Sequence, residues 1–93
     1  MDHFADRLRA APQSRLQRGA AAEALQLARE LACRAQVLEA PGAEPRQMPD
    51  AGMFAAADQI TVAAHDLAIV LKDEGQVEEA VELVAEAQKR AGV

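Results

Sequence analysis

A single glycine, Gly75, separates two amphipathic segments, and this pattern constrains the fold more than any other feature of the sequence. Because glycine tolerates a positive φ, we expect Gly75 to end one helix and to turn the chain into the next. Ala68 and Ala80 lie on either side of this glycine and are small enough for two packed helices to approach closely. The segment from Ala64 to Ala80 therefore predicts a tight helical hairpin.

The spacing of small and apolar residues around Gly75 resembles the tetratricopeptide repeat, a helix-turn-helix unit of about 34 residues. The resemblance covers roughly Thr61 to Gly92 and lies in the spacing of Leu67, Ala68, Leu71, Gly75, Val77, Ala80, Val84 and Ala87. The chain departs from the family where bulky or aromatic residues are usual, at Ala64, Val77 and Val84. A generic alanine-rich helical hairpin is the alternative interpretation.

Tetratricopeptide units bind partners mainly through the first helix of each hairpin, so the resemblance implies a partner-binding surface on the third helix of this chain. The corresponding positions are Val62, His65, Ile69, Lys72 and Asp73. The aliphatic members would provide desolvated contact area, while His65 and Lys72 would bind a carboxylate or a backbone carbonyl of the partner. Alternatively, Val62 and Ile69 are ordinary residues of the intramolecular core.

Residues 1–39 are predicted to form two helices. Phe4, Leu8 and Ala11 recur at helical spacing and predict a short first helix, which Pro12 should end or interrupt. A second helix begins after Pro12 or near Gly19. Its apolar stripe comprises Ala20, Ala24, Leu27, Leu31, Ala35 and Leu38.

Residues 40–52 predict an irregular connection, since they hold three of the four prolines and two of the five glycines. Asp50 is expected to cap a third helix that runs from about Ala51 to Glu74. The stripe of this helix, which should pack on the fourth helix, is Ile60, Ala64, Leu67 and Leu71. The inward residues expected for the fourth helix are Val77, Ala80, Val81, Val84 and Ala91.

These patterns predict a single all-α domain. We expect a small helical bundle of two helix-turn-helix hairpins, residues 1–39 and 53–93, joined by the loop 40–52. The second hairpin is the one that resembles a tetratricopeptide repeat.

The apolar core should be thin, because the chain is rich in alanine and poor in aromatic residues. Of the 93 residues 51% are apolar, yet the only aromatic side chains are Phe4 and Phe54. Val62, Ile69 and Val70 span too much of the third helix to face the fourth helix together with the main stripe. We therefore expect an exposed apolar patch and self-association, most simply as a homodimer.

The charge is divided unevenly along the chain. Up to Met48 seven arginines face six acids, and from Pro49 onward three basic residues face nine acids, so the halves are near +1 and −6. An acidic helical surface repels phosphate backbones, so we expect no direct nucleic-acid binding. The alternative is a small regulatory protein linked to nucleic-acid processes through the arginines of the first half, which include Arg7, Arg9, Arg15 and Arg18.

The sequence holds no pattern that predicts a catalytic residue, a cofactor, a metal ligand set or a particular small-molecule ligand. His65 and Asp66 are adjacent on a helix, where neighbours in sequence do not face each other. His3, Asp2 and Asp6 lie at a chain end, where solvated side chains are the simpler interpretation. We therefore expect that the protein is not an enzyme. A small metal-binding protein or enzyme is the third alternative.

The cysteine content and the length of the apolar runs indicate the cellular compartment and the kind of partner. The single Cys33 cannot form an intrachain disulfide, so nothing indicates an oxidising compartment. The longest strongly apolar run, Leu67 to Leu71, is too short to span a bilayer. We expect a cytoplasmic, non-catalytic interaction or scaffold module that binds another protein or a second copy of itself and does not bind membranes.

Overall fold

The computed structural model describes residues 2–42, 44 and 47–93, apart from the side chains of Asp2 and Phe54. Every regular element in these ranges is helical, which confirms the all-α prediction. The helices are α1 (Asp2–Ala10), α2 (Gln13–Arg15), α3 (Ala21–Glu39), α4 (Ala56–Val70) and α5 (Glu74–Ala91). A kinked turn, Leu16–Ala20, joins α2 to α3, and a 3₁₀ turn, Met53–Ala55, precedes α4. The longer helices α1, α3, α4 and α5 form a four-helix bundle, and no helix in the described ranges is long and apolar enough to cross a membrane.

The chain between α1 and α3 bends at a proline and at a glycine. Pro12 has an extended backbone (φ −66°, ψ 153°) and separates α1 from the single turn of α2. Gly19 has a φ of 140°, a conformation that residues with a Cβ rarely adopt, and the chain turns there into α3. Of the two predicted starting points of the second helix, the one near Gly19 is confirmed, because α3 begins at Ala21 and Pro12 precedes only the single turn of α2.

α3 is the central helix of the bundle, since α4 and α5 both pack against it. Its predicted stripe is confirmed, because Ala20, Ala24, Leu27, Leu31 and Ala35 are buried and Leu38 is half-buried. The largest fully buried side chains of the described residues are Phe4, Leu31 and Ile60, one each from α1, α3 and α4. Each such side chain contributes about 1.5–3 kcal/mol to the free energy of unfolding.

The connection between α3 and α4 carries the chain back to the start of α3. Ala21 and Met53 line one surface hollow, while Glu39 and Asp66 line another, so α3 and α4 run parallel. The guanidinium of Arg29 donates a hydrogen bond to the carbonyl oxygen of Met48 at 2.8 Å and holds the returning segment on α3. α3 is about 28 Å long, so a parallel neighbour requires a long connection. The described part of residues 40–52 is irregular, as predicted.

α5 runs antiparallel to α3 and packs on the core with two buried alanines and two larger, half-buried side chains. Arg34, towards the end of α3, lies 3.6 Å from Glu79, and Arg90 donates a hydrogen bond at 2.9 Å to Glu23 at the start of α3. The buried residues of α5 are the alanines 87 and 91. Leu83 and Val84 are half-buried against the same core.

The third helix begins later than predicted. α4 starts at Ala56, not Ala51, and no side chain caps its N-terminus. Asp50 instead accepts a hydrogen bond from the backbone N–H of Gly52 at 2.9 Å, which closes a turn within the loop. The predicted capping role of Asp50 is therefore wrong.

The same helix also ends earlier than predicted. α4 stops at Val70 because Leu71 has an extended backbone (φ −68°, ψ 136°). Gly75 lies inside α5, and its φ is not positive. The prediction that Gly75 ends the third helix is wrong, since the boundary is set by Asp73, which caps α5.

The predicted close packing of the third helix on the fourth is not observed. The backbones of α4 and α5 do not pack along each other, because both helices pack on α3. Ala68 and Ala80 line a groove between the two helices instead of closing a contact, and Ala68 is exposed. The buried members of the α4 stripe, Ile60 and Leu67, contribute to the common core. The second hairpin is thus open.

Candidate interaction surface

An apolar groove separates α4 from α5, with Leu31 of α3 at its base. The α4 side is lined by Ala64, Leu67, Ala68 and Leu71, and the α5 side by Val77, Ala80, Val81, Val84, Ala85 and Gln88. The volume is about 300 Å³, at the small end of the range of ligand pockets, roughly 300–1,000 Å³. We call this feature the α4–α5 groove.

The groove owes its shape to the short connection between α4 and α5. The carboxylate of Asp73 accepts a hydrogen bond from the backbone N–H of Gln76 at 2.8 Å, and the Gln76 side-chain oxygen accepts one from the backbone N–H of Lys72 at 3.0 Å. This reciprocal pair resembles a capping box and fixes the first turn of α5. The direction in which α5 leaves the connection is therefore defined by local hydrogen bonds.

Large aliphatic side chains on the α5 side of the groove are exposed. Val77 is 46% exposed and Val81, one turn further on, is 62% exposed. The prediction that both face inward is wrong, because Ala87 and Ala91 are the residues that α5 buries. Adjacent aliphatic side chains on a surface are typical of an interaction site.

The sequence-predicted partner positions on α4 are exposed and share one face. Val62 is 55% exposed and Ile69 is 80% exposed, while His65 lies between them and is also exposed. The alternative interpretation, in which Val62 and Ile69 belong to the intramolecular core, is therefore wrong. We call Val62 and Ile69 the α4 ridge. Neither residue lines the α4–α5 groove, so the two surfaces are separate.

The remaining two predicted partner positions lie in the connection between α4 and α5. Lys72 and Asp73 are both exposed. The carboxylate of Asp73 is already engaged in capping α5. The structure thus brings Val62, His65 and Ile69 together on α4, and gives Asp73 a structural task that differs from the predicted one.

A row of glutamates runs along α5 beside the groove. Its members recur every four residues and are exposed: Glu74, Glu78, Glu82 and Glu86. The first three each lie three residues before a groove residue, respectively Val77, Val81 and Ala85. Residues three apart are neighbours on a helix surface, so this glutamate row borders the groove directly. No basic side chain within the described ranges pairs with the row.

The described part of the chain gathers no set of metal ligands. No group of three histidine, cysteine or acidic side chains there could hold a metal ion. At the N-terminus Asp6 pairs with Arg9 at 3.4 Å, and the side chain of Asp2 lies outside the described residues. His65 and Asp66 are both exposed on α4.

Two of the four arginines of the nucleic-acid alternative make intramolecular hydrogen bonds. Arg9 donates to the carboxylate of Asp58 at 2.9 Å and thereby joins α1 to α4. This hydrogen bond raises the pKa of the Arg9 guanidinium above its ordinary value. Arg15 donates to the carbonyl oxygen of Gly92 at 2.7 Å. These contacts leave fewer free cations for a phosphate-binding stripe.

The groove-lining residues of α5 were missed as a binding surface, although the sequence holds a signal for the position of this helix. Asp73 followed three residues later by Gln76 fits the capping-box pattern at a helix start. That pattern places Gly75 inside the helix and not in the turn. Nothing in the sequence pattern indicates that α5 leans on α3 and leaves Val77 and Val81 free.

Comparison with known proteins gives no relative on which to base a function: no family model, no curated protein and no solved structure matches the chain.

Proposed function

We propose that the protein is a non-catalytic protein-interaction module and that the α4–α5 groove receives its partner. The observation that carries the proposal is the open apolar side of the groove, where Val77 and Val81 are exposed. Removing apolar surface from water contributes about 25 cal/mol per Å². Covering these side chains therefore provides a driving force for association.

The shape and chemistry of the groove favour a helix as the bound element. From Val77 to Gln88 the groove follows α5 for about 16 Å, or three helical turns. Gln88 is the one polar residue among those lining it, and its side-chain amide donates a hydrogen bond to the carbonyl oxygen of Val93 at 3.2 Å. Small-molecule sites normally present several convergent polar groups, whereas a helix binds through apolar residues at spacings of three and four.

Site-specific photocrosslinking in the source cells tests the proposal. A benzophenone amino acid replaces Val81 in the groove, and a matched protein carries it at Gln26, an exposed residue of α3. We expect a protein adduct of defined mass from position 81 that is missing from position 26. No adduct from position 81, or the same adducts from both positions, would contradict the proposal.

The α4 ridge favours a second function of the same class, self-association. Ile69 is 80% exposed and Val62 lies two turns before it on the same face of α4. We therefore retain a homodimer formed through the ridge as part of the proposal.

A cytoplasmic setting without nucleic-acid binding completes the proposal. Its support is the free thiol of Cys33 and the acidic character of the second half of the chain. An acidic surface attracts basic proteins and repels phosphate backbones.

A further inference from the structure

We infer that the occupant of the α4–α5 groove is a basic amphipathic helix that belongs to a different protein. The inference rests on the proposed function, because it names the chemistry of the partner that the groove would receive. It combines two features of α5, the apolar groove residues and the glutamate row that borders them. Neither feature defines the partner alone. Together they require a partner helix that carries an apolar stripe and has cations along one side of that stripe.

The glutamate row supplies the charge that the partner would neutralise. The segment from Glu74 to Glu86, both included, holds five glutamates and no basic residue. Members of the row are spaced by four residues, a spacing at which like charges repel each other on a helix. In the described structure Arg34 pairs with Glu79, which is outside the row, and no cation pairs with the row itself. Lysine or arginine side chains of a partner would relieve this repulsion.

The geometry also defines which side of the partner must be basic. The row lies beside Val77 and Val81, at the edge of the groove that α5 forms. The opposite edge is formed by Ala64 and Ala68, whose small side chains allow a bound helix to approach closely. A partner helix therefore needs large aliphatic residues at spacings of three and four, and cations only on the flank that faces α5.

A second copy of this chain offers no such helix on its α4 ridge. Val62 and Ile69 are its exposed aliphatic residues, and the exposed Asp66 is a helical neighbour of both. Asp58, which also neighbours Val62, is paired with Arg9, and Lys72 lies beyond the end of the helix. An acidic flank would meet the glutamate row with like charge. The ridge is therefore suited to a different contact from the groove.

The other surfaces of a second copy are no better matched. Apart from the groove and the ridge, Val37 is the one large aliphatic residue that is exposed in the described part of the chain. Its neighbour on α3 is Arg34, which is already paired with Glu79. Arg7 and Arg18 are exposed, yet no large exposed aliphatic side chain accompanies them. Lys89 is exposed on α5 and likewise has no large exposed aliphatic neighbour. Among the described residues no helix of a second copy matches the groove, which points to another chain as the source of a basic helix.

Synthetic helices test the inference on the intact protein. The probe is a labelled peptide of about 18 residues, long enough to form a helix, with leucines at spacings of three and four and lysines along one flank. A matched peptide carries glutamates in place of the lysines, and another keeps the lysine peptide's composition with scrambled leucines. Fluorescence anisotropy measures the Kd of each.

We expect the lysine peptide to bind at least about tenfold more tightly than either matched peptide, since charge and spacing both contribute. Replacing Val77 and Val81 together by serine should weaken it at least about tenfold. Replacing Glu78 and Glu82 together by glutamine should weaken it several-fold and reduce its salt dependence. The matched control, with Val37 of α3 replaced by serine, should bind as the unmodified protein does, because Val37 is 47% exposed and lies outside both the groove and the ridge.

The contrary results separate the two proposals. Equal binding of the lysine and glutamate peptides, lost in both cases from the Val77 and Val81 variant, would overturn the basic partner and support the groove as an interaction site. If no peptide binds but a protein adduct forms from position 81, the basic partner is again overturned and the groove is again supported as an interaction site. No peptide binding and no adduct would overturn both proposals. A dimer that becomes monomeric when Val77 and Val81 are replaced would show that a second copy occupies the groove, and would overturn the inference.

Discussion

The carboxylate of Asp73 accepts a hydrogen bond from the backbone N–H of Gln76 at 2.8 Å, and this contact starts α5. The three residues before the new helix, Leu71 to Asp73, make the whole connection from α4. Leu71 and Asp73 have extended backbones, so the chain leaves α4 before it turns. As a result α5 rests on α3 beside α4, with the groove between them.

Loss of this cap should destabilise the protein. Asp73→Ala leaves amide groups of the first turn of α5 without their acceptor, which lowers the free energy of unfolding by about 1 kcal/mol. For a domain of this size the corresponding fall in Tm is about 4–8 °C. Asp73→Asn is the matched control, because asparagine caps helices equally well. Thermal unfolding that responds equally to both substitutions would contradict the capping role.

Glycine substitutions distinguish the observed turn from the predicted one. Gly19→Ala places a Cβ at a φ of 140° and should lower the free energy of unfolding by more than about 1 kcal/mol. Gly75→Ala should change it by less than about 0.5 kcal/mol, because helix propensity improves while the new Cβ meets the Asp73 carboxylate at 3.2 Å. Urea unfolding measures both. If Gly75→Ala lowered the free energy of unfolding more than Gly19→Ala does, the chain would turn at Gly75, as the sequence predicts, and the observed helix boundary would be contradicted.

α1 should be an essential part of the core. Phe4 is fully buried, so Phe4→Ala should remove about 3–5 kcal/mol from the free energy of unfolding. That is a large share of the roughly 5–15 kcal/mol typical of small domains. Arg7→Ala, at an exposed position of the same helix, serves as the control and should change it by less than about 0.5 kcal/mol. Urea unfolding that shows a loss below about 1 kcal/mol for Phe4→Ala would mean that α1 is not packed as described.

Self-association through the α4 ridge is tested by sedimentation equilibrium at tens of micromolar. We expect the unmodified protein to have a dimeric mass and Ile69→Glu to be monomeric, because a carboxylate replaces a side chain that is 80% exposed in the single chain. The matched groove variant, Val81→Ser, should stay dimeric. A strictly monomeric mass for the unmodified protein would exclude this contact.

Hydrophobic periodicity predicts much of the fold because it reports which face of each helix is buried. The stripe of α3, the short α1 ended by Pro12 and the irregular loop could all be predicted from the sequence. Periodicity does not report which helix lies against that face. Ile60 and Leu67 are buried whether α4 packs on α3 or on α5, so the sequence pattern could not distinguish the open groove from a closed hairpin.

The candidate surfaces were predictable only in part, for a related reason. The sequence predicts that Val62, Ile69 and Val70 are surplus to one buried face of α4. Val62 and Ile69 are exposed, whereas Val70 is half-buried against the core. Val77 and Val81 fall on a regular amphipathic stripe of α5, so the sequence predicts that they are buried. Only the placement of α5 on α3 through Ala87 and Ala91 leaves them free.

The most direct test of the groove as an interaction site is methyl NMR of the intact protein titrated with the lysine-flanked helical peptide. We predict that the methyl signals of Leu67, Val77 and Val81 shift with the added peptide, while those of Val62 and Ile69 stay in place. Shifts confined to Val62 and Ile69, or no shifts at saturating peptide, would contradict binding in the α4–α5 groove.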